Sequence, residues 1–310
     1  MKNIVIDEFG SSDKLRIIET SKPEPKINEV LVQIKAAAVN MVDIRYRTGF
    51  MQTIFPIQFP FTFGIEISGI IDAVGENVTI FKKGDEVFAR IPNGGYSEFA
   101  VISADLVVQK PDNINFIEAA SLPVALTTSL FLMETLSLTS GQRILIQGAA
   151  GSVGYIFSQI ANNMGLDITA TASGEGIEKL KMIGVTRIID YAKEDFKNLV
   201  TKMDAVIDFV GGPTQIQLYG VLKKGGMLVS TAMPPDIEKA NQIGVKAIFI
   251  ATKPDTLKLK QGAEWVKEGL IKPFIAKTLP LTSAAEAQDL VEKGRPNGKV
   301  VLVINDKNEL

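Results

Sequence analysis

The chain has 310 residues, 46% of them hydrophobic and 22% charged, with a formal net charge of −2. That length favours two domains, and the near-neutral balance offers no basic field to nucleic acid or an anionic membrane, so small molecules are the expected partners. Cysteine and histidine are both absent, which removes disulfides, thiolate and Ser-His-Asp catalysis and zinc sites built on sulfur or imidazole, and leaves a bound cofactor or Tyr, Lys, Asp, Glu, Ser and Thr to do any chemistry.

The opening MKNIVIDEFG carries no basic region followed by an apolar stretch, so a cytoplasmic protein is expected. The longest apolar window, Pro123 to Leu138, contains Glu134 and is too short to span a bilayer. Up to about Ile117 the pattern is one of short strands. Leu31 to Ala36 alternates after the Pro-rich SKPEPKINE, Ser68 to Val74 ends at Gly75-Glu76-Asn77, and Lys82-Lys83-Gly84-Asp85 precedes Glu86 to Ile91. Strands and turns at this spacing predict a small β-barrel or sandwich.

Beyond Glu118 the period changes. Helical patterns at Ala119–Leu138, Val153–Met164, Glu175–Ile183 and Thr214–Leu222 alternate with strand candidates. The strands are Arg143–Gln147, Asp167–Ala172, Thr186–Asp190, Ala205–Phe209, Met227–Thr231 and Ala247–Ile250. This alternation predicts an α/β, doubly wound parallel sheet over residues 118–273. Extended pieces at Pro273–Leu279 and Lys299–Ile304, with a helix near Ala284–Lys293, are expected to rejoin the first domain, giving residues 1–117 and 274–310 to that part.

The stretch RILIQGAAGSVGYIFSQIAN (Arg143 to Asn162) reads as strand, glycine turn and helix. Gly148, Ala149, Ala150, Gly151, Ser152, Val153 and Gly154 form a Gly-x-x-Gly-x-x-Gly turn, a variant of the commoner Gly-x-Gly-x-x-Gly; glycine lets the backbone approach a pyrophosphate that the helix N-terminus neutralises. An Asp or Glu about 20 residues further on would grip the ribose of NAD. Ser173 stands there instead, 22 residues past Gly151, and would not repel a 2′-phosphate. Lys179 is the candidate positive partner, against nearby Glu175 and Glu178, so NADPH is expected over NADH. Gly211-Gly212 after the fourth strand suits close backbone approach to a cofactor, or an ordinary turn. Asn40 and Asp43 are both N-cap residue types, placed to start a helix near Met41. Tyr46 and Tyr96 are the available proton donors.

The motifs AAAVNMVDIRYRTG (Ala36 to Gly49), PFTFGIEISGIIDAVGENV (Pro60 to Val78), GDEVFAR, GGYSEFAV, AASLPVALTTS (Ala119 to Ser129), QGAAGSVG, VGGPT, LKKGGMLVS and NGKVVLVI resemble, in order and spacing, the medium-chain dehydrogenase/reductase superfamily, and within it the zinc-less NADPH:quinone oxidoreductase branch. The resemblance implies a GroES-like β-barrel catalytic domain, a Rossmann nucleotide-binding domain, an active site in the cleft between them, and a homodimer pairing through the sheet edge near Ala247 to Ala251. The zinc members carry a catalytic Cys near the position of Asn40 and a His just before the Glu of a Gly-His-Glu motif; this chain has Asn40 and Gly64-Ile65-Glu66. No metal is therefore expected. By the same resemblance, Asn40 lines the acceptor cleft beside the nicotinamide and donates to a carbonyl, Thr128 approaches the nicotinamide, Tyr191 touches the adenosine phosphate, and Thr231, Phe249 and Ile250 border the cofactor. Where enoyl thioester reductases have a Tyr, this chain has Met51. The implied activity is hydride transfer from NADPH to a quinone or related α,β-unsaturated carbonyl; an enone or enoyl reductase and a non-catalytic NADPH-binding protein are the alternatives.

Overall fold

Short extended segments dominate the first hundred residues, as their alternation predicts. A computed structural model of the chain describes residues 1–294 and 296–304. Among them, in chain order, come β1 (Lys2–Ile6), β2 (Arg16–Glu19), β3 (Glu29–Val39), α1 (Met41–Arg47), β4 (Phe61–Thr62), β5 (Glu66–Val74), β6 (Glu86–Arg90), β7 (Phe99–Ser103), β8 (Val107–Gln109), α2 (Phe116–Ala120) and α3 (Pro123–Leu136). Next are β9 (Arg143–Gln147), α4 (Ser152–Asn163), β10 (Asp167–Ala172), α5 (Glu175–Met182), β11 (Arg187–Asp190), β12 (Met203–Asp208), α6 (Gln215–Leu218), β13 (Leu222–Ser230), α7 (Ile237–Ile243) and β14 (Lys246–Phe249). The last are α8 (Thr256–Lys267), β15 (Ile275–Pro280), α9 (Ala284–Glu292) and β16 (Lys299–Val303).

Two units emerge. The first comprises Met1–Val124, Pro254–Lys267 and the described residues from Pro273 on. Its larger sheet runs β15-β16-β3-β5-β6-β8, with β7 also on β3, and a smaller one runs β2-β1-β4. Strand β3 organises the unit because its 11 residues are long enough to pair with β16, β5 and β7 together. Ile4, Val32, Ile34, Phe63, Ile67 and Val300, drawn from both sheets, share one core. Residues 118–124 and 254–267, which the sequence division assigns to the nucleotide-binding part, group here. Long-range bonds explain part of this: Thr256 Oγ1 donates to the Asp105 carbonyl at 2.6 Å and Asn113 Nδ2 to the Val266 carbonyl at 2.9 Å.

The second unit, Ala125–Lys253 with Glu268–Lys272, holds a parallel sheet in the order β11-β10-β9-β12-β13-β14. Its inner strands β9, β10 and β12 are covered on both faces, as parallel sheets require; Leu145, Val206, Leu228 and Ala240 meet in one core. From β9 the chain winds outward through β10 and β11, then returns to lay β12, β13 and β14 on the other side. The gap between β9 and β12 is thus the topological switch point, where open α/β sheets bind ligands at the carboxyl ends of their strands.

Two predicted helices differ from those observed. The Ala119–Leu138 pattern splits into α2 and α3, because Pro123 disfavours helical backbone at Leu122. The Thr214–Leu222 pattern holds only one short α segment, Gln215–Leu218, between 3₁₀ turns, and Leu222 already belongs to β13. Gly220 is a poor interior helical residue. No helix among the described residues is long and apolar enough to cross a membrane.

Arg47 is the largest fully buried side chain. Its Nε donates to Gln288 Oε1 and its Nη1 to the Gly10 carbonyl, both at 2.7 Å, while Nη2 meets Glu292. The guanidinium therefore fastens α1 to α9 and to the loop after β1. Arg47→Met leaves the buried Gln288 amide oxygen and the half-buried Gly10 carbonyl unanswered and is expected to lower the unfolding free energy by about 3 kcal/mol in a urea titration. A loss within experimental error would show that these acceptors find other donors.

Candidate functional site

At the switch point β9 ends at Gln147 and the chain turns into α4. Gly148 has φ +78°, a region side chains avoid, and a Cβ there would sit 3.0 Å from Val210 Cγ2. A Cβ on Gly154 would lie 2.3 Å from the Gly148 carbonyl oxygen, so α4 closes onto the turn only as glycine. For Gly151 the sole neighbour within 4 Å of an added Cβ is that same oxygen, at 3.3 Å. The turn is packed inside and open outside. Ala149 and Ala150 are buried in it, and the first-turn N–H groups of Ser152, Val153 and Gly154 have no earlier helical carbonyl to bond. This arrangement suits a diphosphate.

The strand ends bring most of the other expected cofactor residues to one edge. Thr171 is level with Gln147, so Ser173 and Gly174 leave β10 beside the turn. The Tyr191 N–H bonds the Ala172 carbonyl at 3.1 Å, which places Tyr191, 45% exposed, next to them. Gln147, Asp208, Ser230 and Phe249 share one level across the sheet, so Gly211, Thr231 and Ile250 lie in the loops leaving that edge. Thr128 Oγ1 lies 3.0 Å from Thr252 Oγ1, two residues beyond Ile250.

Asp208, which the sequence reading passes over, orders the loop that carries Gly211. Wholly buried, it accepts from the Val210 and Gly211 N–H groups at 2.9 and 2.8 Å, from Gln215 Nε2 at 2.9 Å and from Ser230 Oγ at 3.0 Å. The available signal was an acid closing the apolar run Ala205-Val206-Ile207 just before two glycines.

Lys179 requires a correction. It is expected as the positive partner for a 2′-phosphate, yet it is only 3% exposed. It lies on the buried face of α5, donates to the Ala150 carbonyl at 2.9 Å and sits 4.3 Å from the Tyr155 ring centroid. Burial pushes its ammonium down to about 7. Lys179 braces the glycine turn from beneath.

In the first unit the Asn40 region becomes a buried polar cluster. Helix α1 does begin at Met41 with Asn40 as its N-cap, but Asp43 supplies the capping side chain, its Oδ2 accepting the Asn40 N–H at 2.8 Å. The Asn40 side chain looks elsewhere. Its Nδ2 donates to Glu66 Oε1 at 3.0 Å and to the Ala38 carbonyl at 3.3 Å, and its Oδ1 accepts from Lys299 Nζ at 2.7 Å. Lys299 also forms an ion pair with Glu66, while Glu66 Oε2 accepts the Val124 N–H at 2.8 Å. Arg90 is level with Glu66 on the neighbouring strand. Sequence reading passes over Lys299 and gives Glu66 no role; the one hint was a charge opening the apolar run Val300-Val301-Leu302-Val303.

Asp43 and Tyr96 complete the cluster. Asp43 is fully buried and also accepts the Gly64 N–H at 3.2 Å and the Tyr96 hydroxyl at 3.1 Å. Burial raises its carboxyl to about 6, with the Glu66 charge adding to the rise and the three donors opposing it. Tyr96 has no exposed surface, and burial beside Asp43 raises its phenol well above the ordinary value, so its proton is held by Asp43. That removes Tyr96 as a donor to an acceptor. Tyr46 differs: it lines a groove of about 690 Å³ with Ile54, Phe55, Ile57, Phe61 and Asn93, its ring 5.8 Å from that of Phe61.

Comparison with known proteins gives consistent results. Residues 26–112 match the alcohol dehydrogenase GroES-like domain family and residues 183–302 the zinc-binding dehydrogenase family. A 2-methylene-furan-3-one reductase from Solanum lycopersicum is 33% identical over 97% of this chain and 79% of its own length. Among solved structures, the quinone oxidoreductase from Coxiella burnetii superposes with a TM-score of 0.91 at 30% identity, covering 98% of this chain and 99% of that one. Escherichia coli quinone oxidoreductase complexed with NADPH gives 0.89 at 25% identity, over 98% and 100%.

The Asp43 environment makes a pH prediction. Its folded value, about 6, lies above the ordinary 3.8, so folding favours the protonated acid. That contribution is complete below about pH 4 and disappears as the pH rises through 6, a change of about 3 kcal/mol at 1.36 kcal/mol per unit. Asp43→Asn should flatten the stability profile across this window in urea titrations taken from pH 4 to 7. Parallel profiles for the two proteins would contradict the assignment.

Proposed function

The chain belongs to the medium-chain dehydrogenase/reductase superfamily, and from that premise we propose that it is an NADPH-dependent, zinc-independent reductase of quinones or related α,β-unsaturated carbonyls. The observation that carries this reading is the meeting of the glycine turn with Ser173 and Tyr191 at the carboxyl edge of the second unit's sheet, in a chain with no histidine or cysteine for which redox chemistry must come from a bound cofactor. The names of the relatives, reductases of an enone and of quinones, point the same way. Zinc independence rests on the donor set, since an ammonium, an amide and a carboxylate gather at Asn40, Glu66 and Lys299.

Bound NADPH would supply a hydride. The N–H groups of Ser152, Val153 and Gly154 would hold its diphosphate, Gly211, Thr231, Phe249 and Ile250 would border it, and Thr128 would reach it through the hydroxyl pair with Thr252. The Ser173 hydroxyl would receive the 2′-phosphate, against the charge of Glu175 and Glu178 in the first turn of α5. The groove walled by Tyr46, Phe55 and Phe61 suits a flat conjugated acceptor, because aromatic faces stack on one another. Asn40 offers an amide to the oxygen that gains charge. The acceptor takes the hydride at one atom and a proton from water at its oxygen, with Tyr46 at the groove wall as the side chain available to hand that proton on.

Among the described residues edge strand β14 pairs with β13 alone, and we assign it the contact of a homodimer. The cytoplasm is the compartment in which this reading places the protein. Light scattering should give twice the chain mass; a monomer at micromolar concentration would reject the dimer.

NADPH consumption against a benzoquinone, phenanthrenequinone, a 2-alkenal and a short enoyl thioester tests the activity, and turnover of a quinone or alkenal is expected. Binding of NADPH without turnover of any acceptor would leave a non-catalytic nucleotide-binding protein. NADPH should bind about tenfold more tightly than NADH, the worth of one charge-assisted hydrogen bond of about 1.5 kcal/mol, and Ser173→Asp should abolish the preference.

A further inference from the structure

Within the buried cluster of the first unit, Asn40 retains some exposure, 9%, whereas Lys299 keeps 3% and Glu66 none. An asparagine amide has two faces of opposite chemistry and similar shape, and its neighbours decide which way it points. Here the neighbour is an ammonium, which only donates. With Lys299 Nζ 2.7 Å from Oδ1, the oxygen is fixed and Nδ2 is committed to the other side. One Nδ2 hydrogen goes to Glu66 Oε1 at 3.0 Å, which is itself held by Lys299, while the other makes a long 3.3 Å bond to the Ala38 carbonyl. That long bond is the weak one.

We propose that Lys299 is a positioning residue for the acceptor, locking the Asn40 amide so that its N–H, and never its carbonyl, is available to an acceptor oxygen. The inference rests on the reading of the protein as a carbonyl or quinone reductase and deepens it by naming what sets the orientation of the donor. On acceptor binding, the Nδ2 hydrogen aimed at Ala38 transfers its bond to the acceptor oxygen, while the bonds to Glu66 and Lys299 stay in place. The ammonium polarises the amide through Oδ1 and strengthens the donor, as hydrogen bonds in series do. An unlocked amide would spend part of its time with Oδ1 facing an oxygen that is gaining negative charge.

A double-mutant cycle tests this, with benzoquinone as acceptor. Lys299→Met should lower kcat/KM for the quinone about tenfold in the Asn40 protein and by less than about twofold in Asn40→Ala, because a residue that acts through another has no effect once the other is gone. The dissociation constant for NADPH, read by fluorescence, should stay within about twofold, since the cofactor turn lies in the other unit and the single mutant removes none of its contacts. Calorimetric affinity for the product benzene-1,4-diol should fall with kcat/KM. Because Lys299→Met strands the buried Glu66 charge and costs stability on that account alone, the cycle is repeated with Glu66→Gln present in every member, so that no member holds an unanswered Glu66 carboxylate. Equal losses in the Asn40 and Asn40→Ala backgrounds, or loss of NADPH affinity in step with a lower melting temperature, would reduce Lys299 to a structural residue and overturn the proposal. A wild type that binds NADPH but reduces neither quinone nor alkenal removes the functional reading, and this inference with it; a wild type that turns over with an additive cycle removes the inference alone.

Discussion

A carboxylate with no exposed surface must be answered by charge and hydrogen bonds or it will not stay ionised, and in the first unit that carboxylate is Glu66. The answers come from distant parts of the chain: Lys299 from the last strand, Arg90 from the neighbouring strand, the Asn40 amide from the start of α1 and the Val124 N–H from the start of α3. Because each partner is fixed by its own strand or helix, the ion pair can form only when β16 has docked on β3. The terminal segment is therefore more than an extra edge. It delivers a cation to the interior, and the unit's polar centre is incomplete without it.

The second unit meets a similar demand differently. Its site is made mainly of backbone, the glycine turn and the free N–H groups at the start of α4, and the side chains around it chiefly hold that backbone still. Asp208 takes four donors to shape the loop carrying Gly211, and Lys179 holds the Ala150 carbonyl from below. Backbone recognition asks little of reactive side chains, which suits a composition without histidine or cysteine. The side chains beside it at the strand ends are few, Ser173 and Tyr191 among them.

The two halves also differ in how they handle charge. Asp43 lies so deep that burial outweighs three hydrogen bonds and makes it a weaker acid, raised to about 6, whereas Glu66 gains opposite charges as neighbours. Asp43 instead has the Tyr96 hydroxyl and two N–H groups. One carboxylate is met by an ammonium and two N–H groups and the other by a phenol and two N–H groups, within a single cluster. The groove beside them, walled by Tyr46, Phe55 and Phe61, is by contrast apolar on its aromatic faces.

Much of this was legible from residue order. The parallel sheet follows from apolar runs alternating with helical periods, and the turn after β9 from three glycines at fixed spacing, because these are local signals whose meaning depends on near neighbours. The capping of α1 by Asn40 and Asp43 was legible too, since both are N-cap residue types at the start of the helical pattern. Lys179 shows where local reading fails. Its place in sequence, six residues after Ser173, says nothing of which helix face it occupies, and only packing against the sheet turned it inward to the Ala150 carbonyl. Lys299 shows the same over a longer distance, since no sequence spacing relates it to Asn40, 259 residues away. Sequence by itself determined the alternation of strands and helices, the glycine turn and the exclusion of histidine and cysteine chemistry. Tertiary structure alone decided which charges meet, because antiparallel pairing of β16 with β3 and of β3 with β5 is what sets Lys299, Asn40 and Glu66 side by side.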